Sequence, residues 1–201
     1  MTSSSPRIVG VSGSPSDPSR TSTLVRATVD RFAAEFEDAR TTVVEIGPVL
    51  ADLGAAPTRD SMAAATRAAL EAVETADVLV VGSPAFRAAY SGAFKLFFDW
   101  VGQYELVDTP VLLTATGGSD RHALLVEHQM RPLFGFFQST TLPIGVFGNE
   151  RDFVKHEGSY ELSSVELELR IDQAVQRALP IVRSGRLGAL AGADVRRPAE
   201  F

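Results

Sequence analysis

Five short apolar runs rich in β-branched residues recur along the chain: Arg7–Val11 (RIVGV), Thr42–Ile46 (TVVEI), Val78–Gly82 (VLVVG), Val111–Ala115 (VLLTA) and Ile144–Phe147 (IGVF). A strand with one face in water alternates apolar and polar side chains, because successive residues point to opposite faces. Three of these runs are almost wholly apolar instead, the pattern of strands covered on both faces of a parallel sheet. Parallel neighbours need crossovers, and helical patterns fill the gaps. Val25, Val29, Phe32 and Phe36 follow +4, +3, +4 spacing and form one apolar face. Ala65, Ala69, Ala72, Val73 and Ala76 mark a second helix, and Ala93, Leu96, Phe97, Trp100 and Val101 a third. Leu124, Leu125, His128, Pro132 and Phe136 mark a fourth, and Val165, Leu169, Asp172, Val175 and Leu179 a fifth. Five strands alternating with five helices imply an α/β fold: a doubly wound five-stranded parallel sheet with helices on both faces.

No internal repeat or long linker divides the chain, so residues 1–201 read as a single domain, with 1–6 and about 185–201 expected as mobile tails. The polar stretch Gly148–Ser164 reads as a surface connection. The absence of cysteine excludes disulfides, thiolate nucleophiles, thiolate-bound zinc and iron–sulfur clusters. A net charge of −6 without a basic run argues against nucleic acid or an anionic membrane surface as partner. No apolar run approaches the ~20 residues of a bilayer span, and Met1–Pro6 lacks a signal-peptide pattern, so a cytoplasmic location is expected. His122, His128 and His156 are too scattered for a metal site.

In an open parallel sheet the ligand crevice lies beyond the carboxyl ends of the strands. The turn after the first strand, Ser12–Thr23, feeds a helix expected to begin near Leu24 and carries Ser14, Ser19, Thr21, Ser22 and Thr23 as hydroxyls with Arg20 as a cation. A phosphate needs helix N-terminal N–H groups, hydroxyl donors and a positive charge. A single helix cap needs one hydroxyl, so a monophosphate site accounts for this composition better. The loop is neither a P-loop nor a dinucleotide fingerprint, since Gly10 and Gly13 lack the required spacing. The turn after the third strand, Ser83–Lys95, offers small residues for close approach to a flat ligand and Phe86 to touch a ring; Tyr90 and Phe94 read as core aromatics. The turn after the fourth, Thr114–His122, contains Gly117-Gly118, which leaves unhindered N–H donors.

Together, Gly13–Leu24 (GSPSDPSRTSTL), Gly82–Lys95 (GSPAFRAAYSGAFK) and Ala115–Pro132 (ATGGSDRHALLVEHQMRP) resemble the NAD(P)H-dependent FMN reductase family of the flavodoxin-like fold, above all the flavin reductases of two-component alkanesulfonate monooxygenase systems. The resemblance runs over roughly residues 7–183. It implies FMN and NAD(P)H as cofactors, hydride transfer from nicotinamide to flavin, and no catalytic side chain. It also implies a homodimer or homotetramer and delivery of reduced flavin to a partner monooxygenase. The helix bearing Phe94, Leu96, Phe97, Phe98 and Trp100 has more large residues than one buried face requires, which fits an interface and equally a wholly buried helix. By the same resemblance Ser14, Arg20, Ser22 and Thr23 hold the FMN phosphate. Pro84, Ala85, Phe86 and Arg87 line the flavin ring, and Thr116, Gly117, Gly118 and Ser119 meet its polar edge. Phe86 stands where many relatives have tyrosine. His128 falls where some carry a tyrosine in an inserted, bulged turn of helix four. An FMN-bound quinone or azo-compound reductase would share these loops. A flavodoxin-type electron carrier would be more acidic and would stack aromatic rings on the flavin. A low-molecular-weight phosphatase needs the cysteine this chain lacks.

Overall fold

The computed structural model describes residues 5–184. The chain runs β1 (Arg7–Ser12), α1 (Arg20–Ala33), β2 (Arg40–Glu45), α2 (Leu50–Ala55), α3 (Ala64–Glu74), β3 (Val78–Phe86), β4 (Ala89–Tyr90), α4 (Gly92–Asp99) and β5 (Pro110–Gly117). It continues through α5 (Arg131–Phe136), β6 (Thr140–Thr141), β7 (Val146–Asn149), β8 (Phe153–His156), β9 (Ser159–Leu162) and α6 (Val165–Ser184). Of the tails expected over 1–6 and about 185–201, residues 1–4 and 185–201 lie outside the described residues.

The principal strands are parallel in the order β2-β1-β3-β5-β7, which is the flavodoxin-like arrangement. The fifth strand comes in two pieces: β6 pairs with Pro110 and Val111, and β7 with Thr114–Gly117 of the same neighbour. Pro143 lies in the gap, where it has no N–H to give the ladder, so the run expected from Ile144 pairs only from Val146.

The apolar runs split by parity between two cores. Val9, Val11, Leu79, Val81, Val111 and Leu113 face α2–α5, while Ile8, Val78, Val80 and Leu112 face α1 and α6. Burial on both sides explains why alternation is missing from the sequence. Gly10 and Gly82 set the distance to α1. A Cβ on Gly10 would stand 2.7 Å from Val25 Cγ1, and one on Gly82 would run into Val25 Cγ2 of the same helix.

Several expected helices sit differently. α1 starts at Arg20 rather than near Leu24, because Ser19 caps it by accepting from Thr21 N and Ser22 N. α3 buries Thr66, Leu70 and Val73 rather than Ala65. The fourth helix is broken by a π-helical turn over Val126–Met130 that contains His128. The extra residue of such a turn shifts the register, so Leu125, Val126, Met130 and Phe134 are buried while Leu124 and Phe136 are exposed. α6 buries Leu167, Ile171, Ala174, Val175, Ala178, Leu179 and Val182, leaving Val165 and Leu169 exposed, and continues past Pro180. The Gly148–Ser164 stretch is no plain connection, since β8 and β9 form a hairpin turning at Gly158, φ +77°. Phe94, Phe97 and Phe98 of α4 are buried within the chain's own core, so the aromatic richness of that helix serves its interior.

Candidate functional site

Short polar contacts tie the three strand-end loops together. Gly13 N donates to Gly82 O at 2.7 Å. The buried Ser91, N-cap of α4, donates through Oγ to Gly13 O at 2.6 Å, and its backbone N–H reaches the buried Ser83 Oγ at 2.9 Å. Pro84 of β3 pairs in register with Thr116 of β5. Thr21 and Thr116, both buried, share a 2.6 Å hydroxyl contact. The start of α1 is thus fastened directly to the loop after β5.

The first loop wraps a cleft of about 440 Å³ whose lining includes Ser14, Ser16, Ser19, Ser22, Thr23 and Tyr160. Ser14 is buried and its hydroxyl folds back on Ser16, donating to the carbonyl at 3.2 Å. Ser22 Oγ donates to Glu45 Oε2 at 2.7 Å and contacts Ser12 Oγ at 2.8 Å. A hydroxyl has one hydrogen, so Ser12 is the donor of that second pair. Thr23 Oγ1 lies 3.2 Å from the carbonyls of Ser19 and Tyr160. Arg20, at the first position of α1, donates through Nη2 to Glu150 Oε1 at 2.7 Å, and its guanidinium carbon stands 5.3 Å over the Tyr160 ring. Exposed ion pairs of this kind stabilise by only about 0–1 kcal/mol.

In the second loop Pro84 and Ala85 are half-buried and Phe86 is 48% exposed. Arg87 and Ala88 have φ of 53° and 66° and close the β3–β4 hairpin, in which Ala85 pairs with Tyr90. Positive φ at both turn residues is the type I′ requirement, usually met by Asn-Gly; here two side chains accept the strain and Phe86 stays at the rim. Phe94 is buried, as expected, and Tyr90 half-buried.

In the third loop a Cβ on Gly117 would stand 3.0 Å from Phe147 Cζ, so a side chain there would need the ring to give by a few tenths of an ångström. Ser119 caps a short 3-10 turn by accepting from Arg121 N at 3.3 Å. The next residue, Asp120, is held below the usual carboxylate range by the Asn149 side-chain amide and then by Arg151. The third loop is therefore anchored to the segment after β7.

That segment was missed in the sequence. Glu150 meets Arg20, Asn149 and Arg151 meet Asp120, and Tyr160 lies beneath Arg20. A usable signal existed, since Glu150 directly follows the fifth strand and so stands at the same sheet edge as the other loops. The arrangement gathers several hydroxyls and the Arg20 guanidinium around the start of α1, beside the loops that follow β3 and β5. Among the described residues no group of three or more His, Asp or Glu side chains could hold a metal ion.

The model of the NADPH-dependent FMN reductase family matches residues 6–153. An NADH-dependent FMN reductase, SfnE, of Pseudomonas putida is 45% identical over 174 residues, covering 87% of this chain and 91% of the relative. An FMN reductase (NADPH) of Pseudomonas aeruginosa is 44% identical over 176 residues, with the same coverage of 87% and 91%. Among solved structures, an oxidoreductase from Corynebacterium diphtheriae superposes with a TM-score of 0.74 at 29% identity, over 89% of this chain and 98% of that one. A flavodoxin, WrbA-like protein from Agrobacterium tumefaciens shares the fold, with a TM-score of 0.58 at 16% identity over 89% and 98% of the two chains.

Proposed function

The chain belongs to the NADPH-dependent FMN reductase family, and on that footing we propose that its three strand-end loops hold FMN for reduction by a nicotinamide cofactor. Its activity is NAD(P)H-dependent FMN reduction. FMN held there would supply the hydride and electron chemistry. The observation that carries the placement is Arg20 at the start of α1 gripping a carboxylate, Glu150 Oε1 at 2.7 Å, as a stand-in anion. Arg20 supplies charge to the phosphate, with Ser14, Ser22 and Thr23 lining the cleft beside it. Pro84, Ala85, Phe86 and Arg87 flank the ring, and Thr116, Gly117, Gly118 and Ser119 face its polar edge. The protein's contribution is orientation and proximity, with no acid, base or nucleophile required.

We place the enzyme in the cytoplasm, as a homodimer or homotetramer that delivers reduced FMN to a flavin-dependent monooxygenase. The exposed Leu124, ahead of the π-helical turn, and Phe136, at the end of α5, support self-association, and the exposed Phe86 supports an open site from which flavin can leave.

Replacing Arg20 with glutamine is expected to weaken FMN binding about ten- to hundredfold, the worth of a hydrogen bond to a charged group. Riboflavin, which has no phosphate, should bind as before. Fluorescence titration with both flavins reads the difference, and equal weakening of the two would remove the phosphate from Arg20.

A further inference from the structure

The segment after β7 places a carboxylate where the proposed flavin site has no use for one. Glu150 Oε1 accepts from Arg20 Nη2 at 2.7 Å, and Oε2 lies 3.6 Å from where a Cβ on Gly118 would stand. Glu150 thus sits between the start of α1, assigned to the phosphate, and the loop assigned to the polar edge of the ring. We propose that Glu150 is an internal competitor of the flavin phosphate for Arg20, a residue that keeps FMN affinity low and exchange fast. The inference rests on the assignment of Arg20 to the phosphate.

The pair is built to be exchanged. The Glu150 side chain is 60% exposed and that of Arg20 30%, so water screens their attraction. A phosphate carries more charge and three acceptor oxygens and displaces a single carboxylate contact. The carboxylate does not drift away when it loses its partner. Asn149 N donates to Asp152 Oδ2 at 2.7 Å and Arg151 N to Asn149 Oδ1 at 3.4 Å, a reciprocal cap that fixes the turn carrying Glu150. Arg151, the neighbouring cation, is engaged by Asp120 at 3.1 Å and leaves the charge of Glu150 to Arg20. Tethered this closely, the carboxylate acts at high effective concentration and recaptures Arg20 as phosphate departs. While FMN is bound, carboxylate and phosphate repel each other across the same guanidinium.

The test is a comparison of dissociation constants for FMN and riboflavin across the wild type, Glu150→Gln, Arg20→Gln and the double variant. Glutamine keeps the shape of an exposed side chain and removes its charge. Glu150→Gln is expected to bind FMN about five- to tenfold more tightly, from the loss of one like charge nearby, with riboflavin unchanged. The gain should shrink when Arg20 is already glutamine. A purely structural role for Glu150 would instead move both flavins together. If Arg20→Gln binds both flavins as the wild type does, the phosphate assignment fails and the competition with it. If Arg20→Gln loses FMN selectively while Glu150→Gln shows no gain, the competition alone is overturned. An undiminished gain in the double variant also overturns it, because repulsion would then act without Arg20.

Discussion

Phe94→Ala is expected to lower the unfolding free energy by about 3–5 kcal/mol, the range for emptying a buried phenylalanine site. Phe94 is fully buried and anchors an aromatic cluster, with ring centroids at 4.7 Å from Phe98, 5.7 Å from Tyr90 and 6.4 Å from Phe134. Its effect reaches the site. A Cβ on Gly13 would stand 2.6 Å from Phe94 Cδ2, so the ring occupies the space against which the first loop is laid. Phe94 N also donates to Ser91 Oγ, and the same hydroxyl holds Gly13 O. Denaturant unfolding should show the loss, and FMN affinity should fall in the folded variant. A stability change below about 1 kcal/mol would mean the cluster repacks around the hole, contrary to the cost of cavities in close-packed cores.

Thr21→Val and Thr116→Val are each expected to cost about 1–3 kcal/mol, because each leaves the other hydroxyl buried without its partner. The contact is 2.6 Å between two buried side chains. The double replacement should cost much less than the sum, since paired removal leaves no orphan. Unfolding of the flavin-free protein measures all three variants. Additive losses would show that the hydroxyls do not stabilise each other.

The sheet was legible because both of its faces are covered, which turns Val78–Gly82 and Val111–Ala115 into almost wholly apolar runs. The helices were legible in number and less so in register. Helical spacing alone joined Leu124, His128 and Pro132 into one face, whereas the π-turn at Val126–Met130 moves burial to Met130 and Phe134. Only the family resemblance pointed to a bulged turn at His128, and helical spacing carries no sign of the register shift it makes. The hairpin of β8 and β9 escaped notice because only Phe153 along it is buried, and its two four-residue strands are too short for the alternation by which strands are read.

The site followed the same division. Its loops were found through their composition and their place after β1, β3 and β5. How they interlock was hidden, because Thr21 and Thr116 are separated by 95 residues and Arg20 and Glu150 by 130. Contacts at that range depend on the order in which strands lie side by side, and no spacing in the chain encodes them. The early start of α1 was missed for a local reason. A run of Ser and Thr favours turns and caps as readily as helix, and only Ser19 accepting from Thr21 N and Ser22 N decides where the helix begins.

Turnover of FMN with electrons from nicotinamide is the reaction assigned to this protein. It is tested most directly by following oxidation of NADH and of NADPH by the purified chain with free FMN in large excess. Many turnovers per protein are expected, saturating with added FMN, and the faster donor identifies the physiological one. Oxidation that stops after one equivalent of flavin, with FMN retained one-to-one on the protein, would contradict it.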